Sequence, residues 1–256
     1  MKRSTSLSLV AAFLGLSSVQ SFAQTELPYD VSMTANAGLF TDYRFRGVSQ
    51  TDEKPAFQGG FDFTHKSGFY LGNWNSNVDA GLYNGANLEM DFYGGFKGSV
   101  DAFSYDVGVL YYYYPGSGAA GTNKIDNTEL YVSGGWGPFS LKYSYAVSDF
   151  FGVPDSKGAY YVDGTVSYPL TKEFSLIGHI GYQGGLKNGA RITQIDGSGP
   201  DTSITDWKLG VTYDLKGWLL GASWIDTNRS ITAGTAALSS KDISGSTLVL
   251  SVSKTF

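Results

Sequence analysis

Segments of about ten residues, each alternating apolar and polar side chains, recur along this chain, and the connections between them alternate between short and long. The short connections run from His65 to Gly68, Gly98 to Asp101, Gly137 to Pro138, Pro169 to Glu173 and Asp214 to Gly217. The long ones run from Gly47 to Pro55, Val78 to Ala86, Pro115 to Asn127, Asp149 to Gly158, Gly185 to Thr202 and Asn228 to Gly245. A period of two puts one parity of each strand on each face of a sheet. Short and long connections in strict alternation predict an up-and-down antiparallel barrel of twelve strands, with both termini on the short-turn side. A sandwich with Greek-key crossovers gives no reason for that alternation.

The first strand is expected near Met33 to Phe45, with Ala35, Ala37, Leu39, Tyr43 and Phe45 on one face. Tyr105, Val107, Val109, Tyr111 and Tyr113 mark the fifth strand, and Phe139, Leu141, Tyr143 and Tyr145 the seventh. The third strand, near Phe69 to Asn77, has aromatics on both parities, so its inward face is left open. The last strand alternates Leu248, Leu250, Val252, Lys254 and Phe256 with Thr247, Val249, Ser251, Ser253 and Thr255. A strand that ends the chain on an aromatic residue resembles the closing strand of bacterial outer-membrane barrels, and this makes Phe256 the expected assembly signal. Lys254 stands where an apolar residue is more usual; near a membrane edge its ammonium can snorkel to water.

Composition agrees. Gly at 34, Tyr at 18 and Phe at 16 residues suit twisted strands and turns, and no cysteine is present for a disulfide or thiol site. The formal charge of −5, with no basic stripe, argues against nucleic acid as a partner. At the start, Lys2 and Arg3, the apolar stretch from Leu7 to Val19 and the small residues around Ala23 predict a secretory signal peptide over residues 1–23. Residues 24–256 are then expected to form a single outer-membrane β-barrel domain.

If the apolar parity meets lipid, the other parity encloses water, because an Arg or Lys on the lipid side would cost about 2–4 kcal/mol near the midplane. The expected lumen and constriction residues are Asp42, Arg44, Arg46, Asp62, Glu89, Asp91, Asp106, Glu129, Lys142, Asp163 and Lys208. Lys66, His179, Gln183 and Asp214 are also placed on that face. Acids outnumber bases there, which predicts a mild preference for cations. Arg44 and Arg46, one repeat apart, are expected either to constrict the lumen or to pair with Asp42, Asp62 and Glu89 and stiffen the wall. Near the short turns, Phe63, Phe96, Phe103, Trp136, Phe139, Tyr168, Phe174, Tyr213 and Trp218 fall on the apolar parity and read as an interfacial aromatic girdle.

The run from Asp42 to Thr51, reading DYRFRGVSQT, is followed by Pro55 to Gly60, by Gly68-Phe69-Tyr70-Leu71-Gly72-Asn73-Trp74 and by Glu89-Met90-Asp91. Over about Ala37 to Tyr93 these residues resemble the TorF family of proteobacterial porins. The resemblance implies an outer-membrane channel and brings no established binding residues with it.

The expected function is therefore passive diffusion of small solutes through a narrow polar lumen in the outer membrane of a Gram-negative bacterium. Expected partners are outer-membrane lipid, small solutes and the barrel-assembly machinery, which would read the C-terminal strand. Twelve strands lie between a barrel filled by its own side chains and one with a wide channel. A closed structural or adhesive barrel acting through its outer loops is the alternative. A lipid-modifying enzyme is weaker, since neither His65 nor His179 shows a nucleophile pattern. No cofactor or metal site is expected, and Asp196 to Asp201 reads as a turn, not a calcium loop.

Overall fold

In a computed structural model the described residues are 24–118, 123–187, 192–193, 200–231 and 241–256. The expected signal peptide and most of the Asp196 to Asp201 turn lie outside them. Twelve strands close on themselves: β1 Val31–Phe40, β2 Ala56–His65, β3 Phe69–Asn77, β4 Leu88–Val100, β5 Phe103–Tyr113, β6 Asn127–Trp136, β7 Phe139–Ala146, β8 Tyr160–Pro169, β9 Phe174–Gly184, β10 Ile204–Leu215, β11 Trp218–Thr227 and β12 Thr247–Thr255. Each pairs antiparallel with its sequence neighbours, and β12 pairs with β1 to complete the all-β barrel. No helix among the described residues is long and apolar enough to cross a membrane.

The closing seam is short, from Ser251 opposite Phe40 to Thr255 opposite Asn36. Two further hydrogen bonds link Ala35 and Phe256, N–H to carbonyl in both directions at 2.9 and 2.7 Å. Beyond them Thr25–Leu27 folds back and pairs with Val31 to Met33, so the edge that β12 is too short to cover is still hydrogen-bonded. Both ends of the described chain thus lie at the short-turn end.

The expected parity holds along most strands. Leu39, Phe57, Phe69, Leu71, Val107, Leu130, Val132, Leu141, Leu209 and Leu248 stand exposed on the outside and form one apolar belt. A patch of that extent far exceeds what a water-soluble monomer carries. The third strand is also resolved: Tyr70 and Trp74 turn inward and are buried, while Phe69 and Leu71 face out. Of the expected girdle, Phe103, Trp136, Phe139, Tyr168, Phe174 and Trp218 are exposed near the short turns, whereas Phe63, Phe96 and Tyr213 are half-buried against neighbours. Phe69 packs edge-on against Phe96, and Phe174 lies 4.6 Å from Tyr213. Tyr111, Tyr143, Tyr145 and Tyr182 form a second exposed ring of aromatics nearer the long loops, which the sequence reading did not single out. Lys254 faces outward with its ammonium 5.0 Å from the Trp218 ring.

Two placements differ from expectation. The first strand ends at Phe40 instead of continuing to Phe45, and Tyr43 and Phe45 pack inside the barrel instead of on its outer face. Lys66 belongs to a turn, not to the lumen: its side chain is exposed and its ammonium lies 2.5 Å from Asp30. The pair holds the Lys66 ammonium above its usual range and the Asp30 carboxyl below its own.

Candidate functional site

From the end of β1 the chain turns into the barrel as a small hairpin, Arg44–Phe45 paired with Val48–Ser49. Its two-residue turn is Arg46-Gly47, with φ of 50° and 83°. Positive φ at both central positions suits the twist of a tight hairpin, and glycine at the second adopts it freely. The run Phe45-Arg46-Gly47-Val48 carried this signal. It was hidden because Leu39, Tyr43 and Phe45 keep the same alternating parity through the break.

The hairpin reaches across the lumen. Arg46 donates to both carboxylate oxygens of Glu129 on β6, at 2.9 and 2.7 Å, and to Gln183 Oε1 on β9 at 2.5 Å. Its guanidinium lies over the rings of Phe45 and Tyr161, 4.6 and 4.4 Å from their centroids. An arginine bonded through Nη2 to a carboxylate and through Nη1 to an amide, and stacked on two rings, is held in one orientation. Gly47 packs closely on the wall: a Cβ there would lie 2.4 Å from Thr227 Cγ2 and 2.7 Å from Asp206 Cβ. So the tip touches β10 and β11, three and two strands from β1 around the barrel.

Arg44 does different work. It binds Asp42 at 2.5 Å and donates to the carbonyls of Gly47, Ile243 and Gly245, and to Glu53. Asp42 also accepts from Ser49 and Thr51. These contacts fold the hairpin's base and fasten it to residues 243–245, where Ser49 N–H donates to the Ile243 carbonyl. Thus Asp42, Arg44 and Arg46 do enter the interior, but on an inserted hairpin and not on the wall. Arg46 takes Glu129 as its partner, not Asp62 or Glu89.

Around the hairpin the interior is closely packed with aromatic side chains. Tyr43, Trp74, Leu110, Tyr112, Tyr114, Ile125 and Tyr131 are buried together, with Phe45, Tyr83 and Phe151 packed against them. A pocket of about 290 Å³ is lined by Val48, Ser49 and Gln50 of the hairpin together with Tyr83, Ile125 and Phe151.

Toward the short turns the interior is polar and half-buried. Asp62 accepts from Tyr93 Oη at 2.7 Å, and Asp106 accepts from Tyr70 Oη at 2.6 Å. Tyr70 and Tyr131 hydroxyls also bond to each other. Lys97 lies over the Tyr70 ring and Lys142 over the Tyr131 ring. On the other wall His179 Nε2 is 2.8 Å from Asp206 and Nδ1 is 3.3 Å from Asp163. Lys208 stands opposite His179 in the register. Both ring nitrogens of His179 are engaged by carboxylates, so it is not poised as a base for a serine or water. His65, the other histidine, bonds Ser67 in an exposed turn. Asp206 was missed in the sequence reading, though it shares the inward parity of Lys208. Gly181 makes room for its partner: a Cβ at that position would lie 1.9 Å from Tyr161 Oη, which donates to Asp206.

The family model described as "Bacterial protein of unknown function (Gcw_chp)" matches residues 23–256. No curated protein sequence matches this chain. Among solved structures, the NanC porin aligns with a TM-score of 0.55 at 11% identity, covering 88% of this chain and 98% of that one. The KdgM porin aligns with a TM-score of 0.53 at 10% identity, covering 87% and 99%. A complex of KdgM with disordered oligogalacturonate aligns with a TM-score of 0.51 at 10% identity, covering 88% and 97%. At such identities the likeness is one of fold.

Proposed function

This chain belongs to the Gcw_chp family of bacterial proteins, and from its architecture we propose that it is a porin-like channel of the outer membrane, passing small solutes along a narrow polar lumen. The observation that carries this is a closed barrel that is apolar outside and charged inside, the inverse of a soluble domain. From Phe103 to Tyr113, β5 spans about 33 Å along the strand, or about 25 Å of height at the usual 40° tilt, which matches a bilayer's apolar band. The two aromatic rings then lie at its two interfaces, and the short turns and both termini face the periplasm. The likeness of residues 37–93 to TorF porins supports the same reading, and the terminal Phe256 is the feature an assembly machinery would read.

Passage is limited by the hairpin, with Arg46 and Glu129 forming the constriction and Asp62, Asp106, Lys142, Asp163 and Lys208 lining the wider part below. Interior acids outnumber bases, which favours cations. Several of those acids are bonded to arginine or histidine and buried, so the preference is mild. The KdgM complex holds an acidic oligosaccharide; the acidic balance here points to a different, cationic or neutral solute. Planar-bilayer recording of the purified chain tests the proposal. Discrete single-channel steps with a reversal potential toward cations are expected, and anion selectivity overturns that part.

A second reading rests on the hairpin itself. Its Arg46 reaches Glu129 on β6 and its Gly47 packs on Thr227 and Asp206, as a plug would. A structural barrel acting through its loops gives no steps in the same recording.

A further inference from the structure

Four charged residues in the polar half of the lumen lie on one line across the sheet. Lys97 on β4 stands opposite Asp106 on β5, and Asp106 opposite Ser133 on β6. Ser133 stands opposite Lys142 on β7, and Lys142 opposite Asp163 on β8. All five share the inward face, and the four charges are half-buried. The line therefore carries two lysine–aspartate couples on neighbouring strands. Ser133 separates them by two strand spacings, or about 10 Å.

Residues directly opposite each other have Cβ atoms about 4.5–5.5 Å apart, near enough to close an ion pair. Yet among the described residues no ion pair joins Lys97 to Asp106. Tyr70 on β3 engages each of them separately: its ring lies 5.0 Å from the Lys97 ammonium, and its hydroxyl donates to Asp106 at 2.6 Å. The same hydroxyl meets that of Tyr131, whose ring lies 4.1 Å from the Lys142 ammonium. A Cβ at Gly95 would collide with the Tyr70 hydroxyl and one at Gly108 with that of Tyr131, so two glycines clear the space these tyrosines occupy. Asp163 is 3.3 Å from His179 Nδ1 and accepts from Thr165 at 2.9 Å. Each couple thus presents an ammonium and a carboxylate to the lumen side by side.

A solute with two opposite charges loses hydration at both ends in a narrow lumen, and the loss is costly unless fixed charges replace the water. A wall ammonium beside a wall carboxylate replaces it at both ends at once. Each couple has no net charge, so it leaves the balance of single ions as the other residues set it. We propose that Lys97 with Asp106, and Lys142 with Asp163 a step further along, are successive binding places for small zwitterions of the α-amino acid class. The solute's carboxylate bonds the lysine and its ammonium bonds the aspartate. This inference rests on the porin reading and narrows its solute to one class.

The test begins with single-channel steps of the full mature chain in a planar bilayer, which establish conduction. The chain is then placed in liposomes, and osmotic swelling compares threonine with erythritol, a polyol of similar size without charged ends. Threonine is expected to enter several-fold faster, although its stronger hydration alone would make it the slower. A Lys97→Met/Asp106→Asn variant removes one couple at constant net charge and is expected to lower the threonine-to-erythritol ratio several-fold. Should that variant fail to fold, Lys97→Met alone serves, with the same fall in the ratio and a reversal potential moved further toward cations. Steps in the bilayer with threonine no faster than erythritol overturn the inference and leave the porin reading standing, as does an unchanged ratio in the variants. Absence of both steps and swelling overturns the two together.

Discussion

Tyr112 on β5 and Lys97 on β4 both point into the barrel, yet their surroundings have little in common. Tyr112 is 4% exposed, among rings and beside the Arg46–Glu129 pair. Lys97 is half-buried in a polar space toward the short turns. The wall strands are the same in both places, and what differs is the hairpin from Asp42 to Thr51, which occupies the long-loop half and stops short of the other. A barrel wall sets which side chains point inward. An inserted segment sets which of them are buried.

Removing the inserted segment should have the largest effect on that contrast. Replacing residues 44–49 by two glycines is expected to open the long-loop half and raise single-channel conductance several-fold. Unchanged conductance would mean that solute does not pass the level of the hairpin.

A narrower change is Arg46→Ala, which keeps the hairpin but leaves Glu129 buried without its cation. Breaking a buried pair from one side costs about 3–5 kcal/mol. Denaturant unfolding should show a loss of that order, and Arg46→Ala/Glu129→Gln should recover most of it. If the double variant is no more stable than the single one, the pair is not what holds the tip.

Gly47→Val tests the contact of the hairpin tip with β10 and β11. A β-branched residue at φ of 83°, with Thr227 and Asp206 in the way, should cost about 3 kcal/mol from backbone strain and overpacking together. Loss of the Arg46 contacts would follow, seen as faster protease cleavage within residues 42–51.

The smallest effect is outside the barrel wall. The hydrogen bond from Lys54 holds the Asp79 carboxyl below its usual range and joins the segment after the hairpin to the loop after β3. A depressed carboxylate stabilises at pH above its unfolded value of about 3.9, and that contribution is lost as pH falls through the folded value. Limited proteolysis of residues 78–86 should therefore quicken slightly at pH 3, and Lys54→Met should remove the difference. The ammonium is largely exposed, so the change is modest.

Much of the barrel was legible in the residues because strand parity is a local property. Alternation along β5, β7 and β12 and the short turn at Lys216-Gly217 depend on near neighbours alone, and each is found where it was expected. The candidate site was legible in part. Asp62, Glu89, Asp91, Asp106, Glu129, Lys142, Asp163 and Lys208 were placed inside by the same parity. Their partners were not, because a partner is a neighbour across the lumen, and the distance from Arg46 to Glu129 or Gln183 has no trace in their spacing along the chain.

The amino-acid sequence by itself determined a two-faced sheet, the number of its strands and the end at which its turns are short, since these follow from period and loop length. Only the tertiary structure decided that Tyr43, Phe45 and Arg46 leave the wall and fill the lumen. The physical reason is that their alternation is the same in a wall strand and in an inserted hairpin. Which of the two forms depends on the packing offered by Trp74, Tyr112 and Tyr131 and on Glu129, all of them supplied by strands far away along the chain.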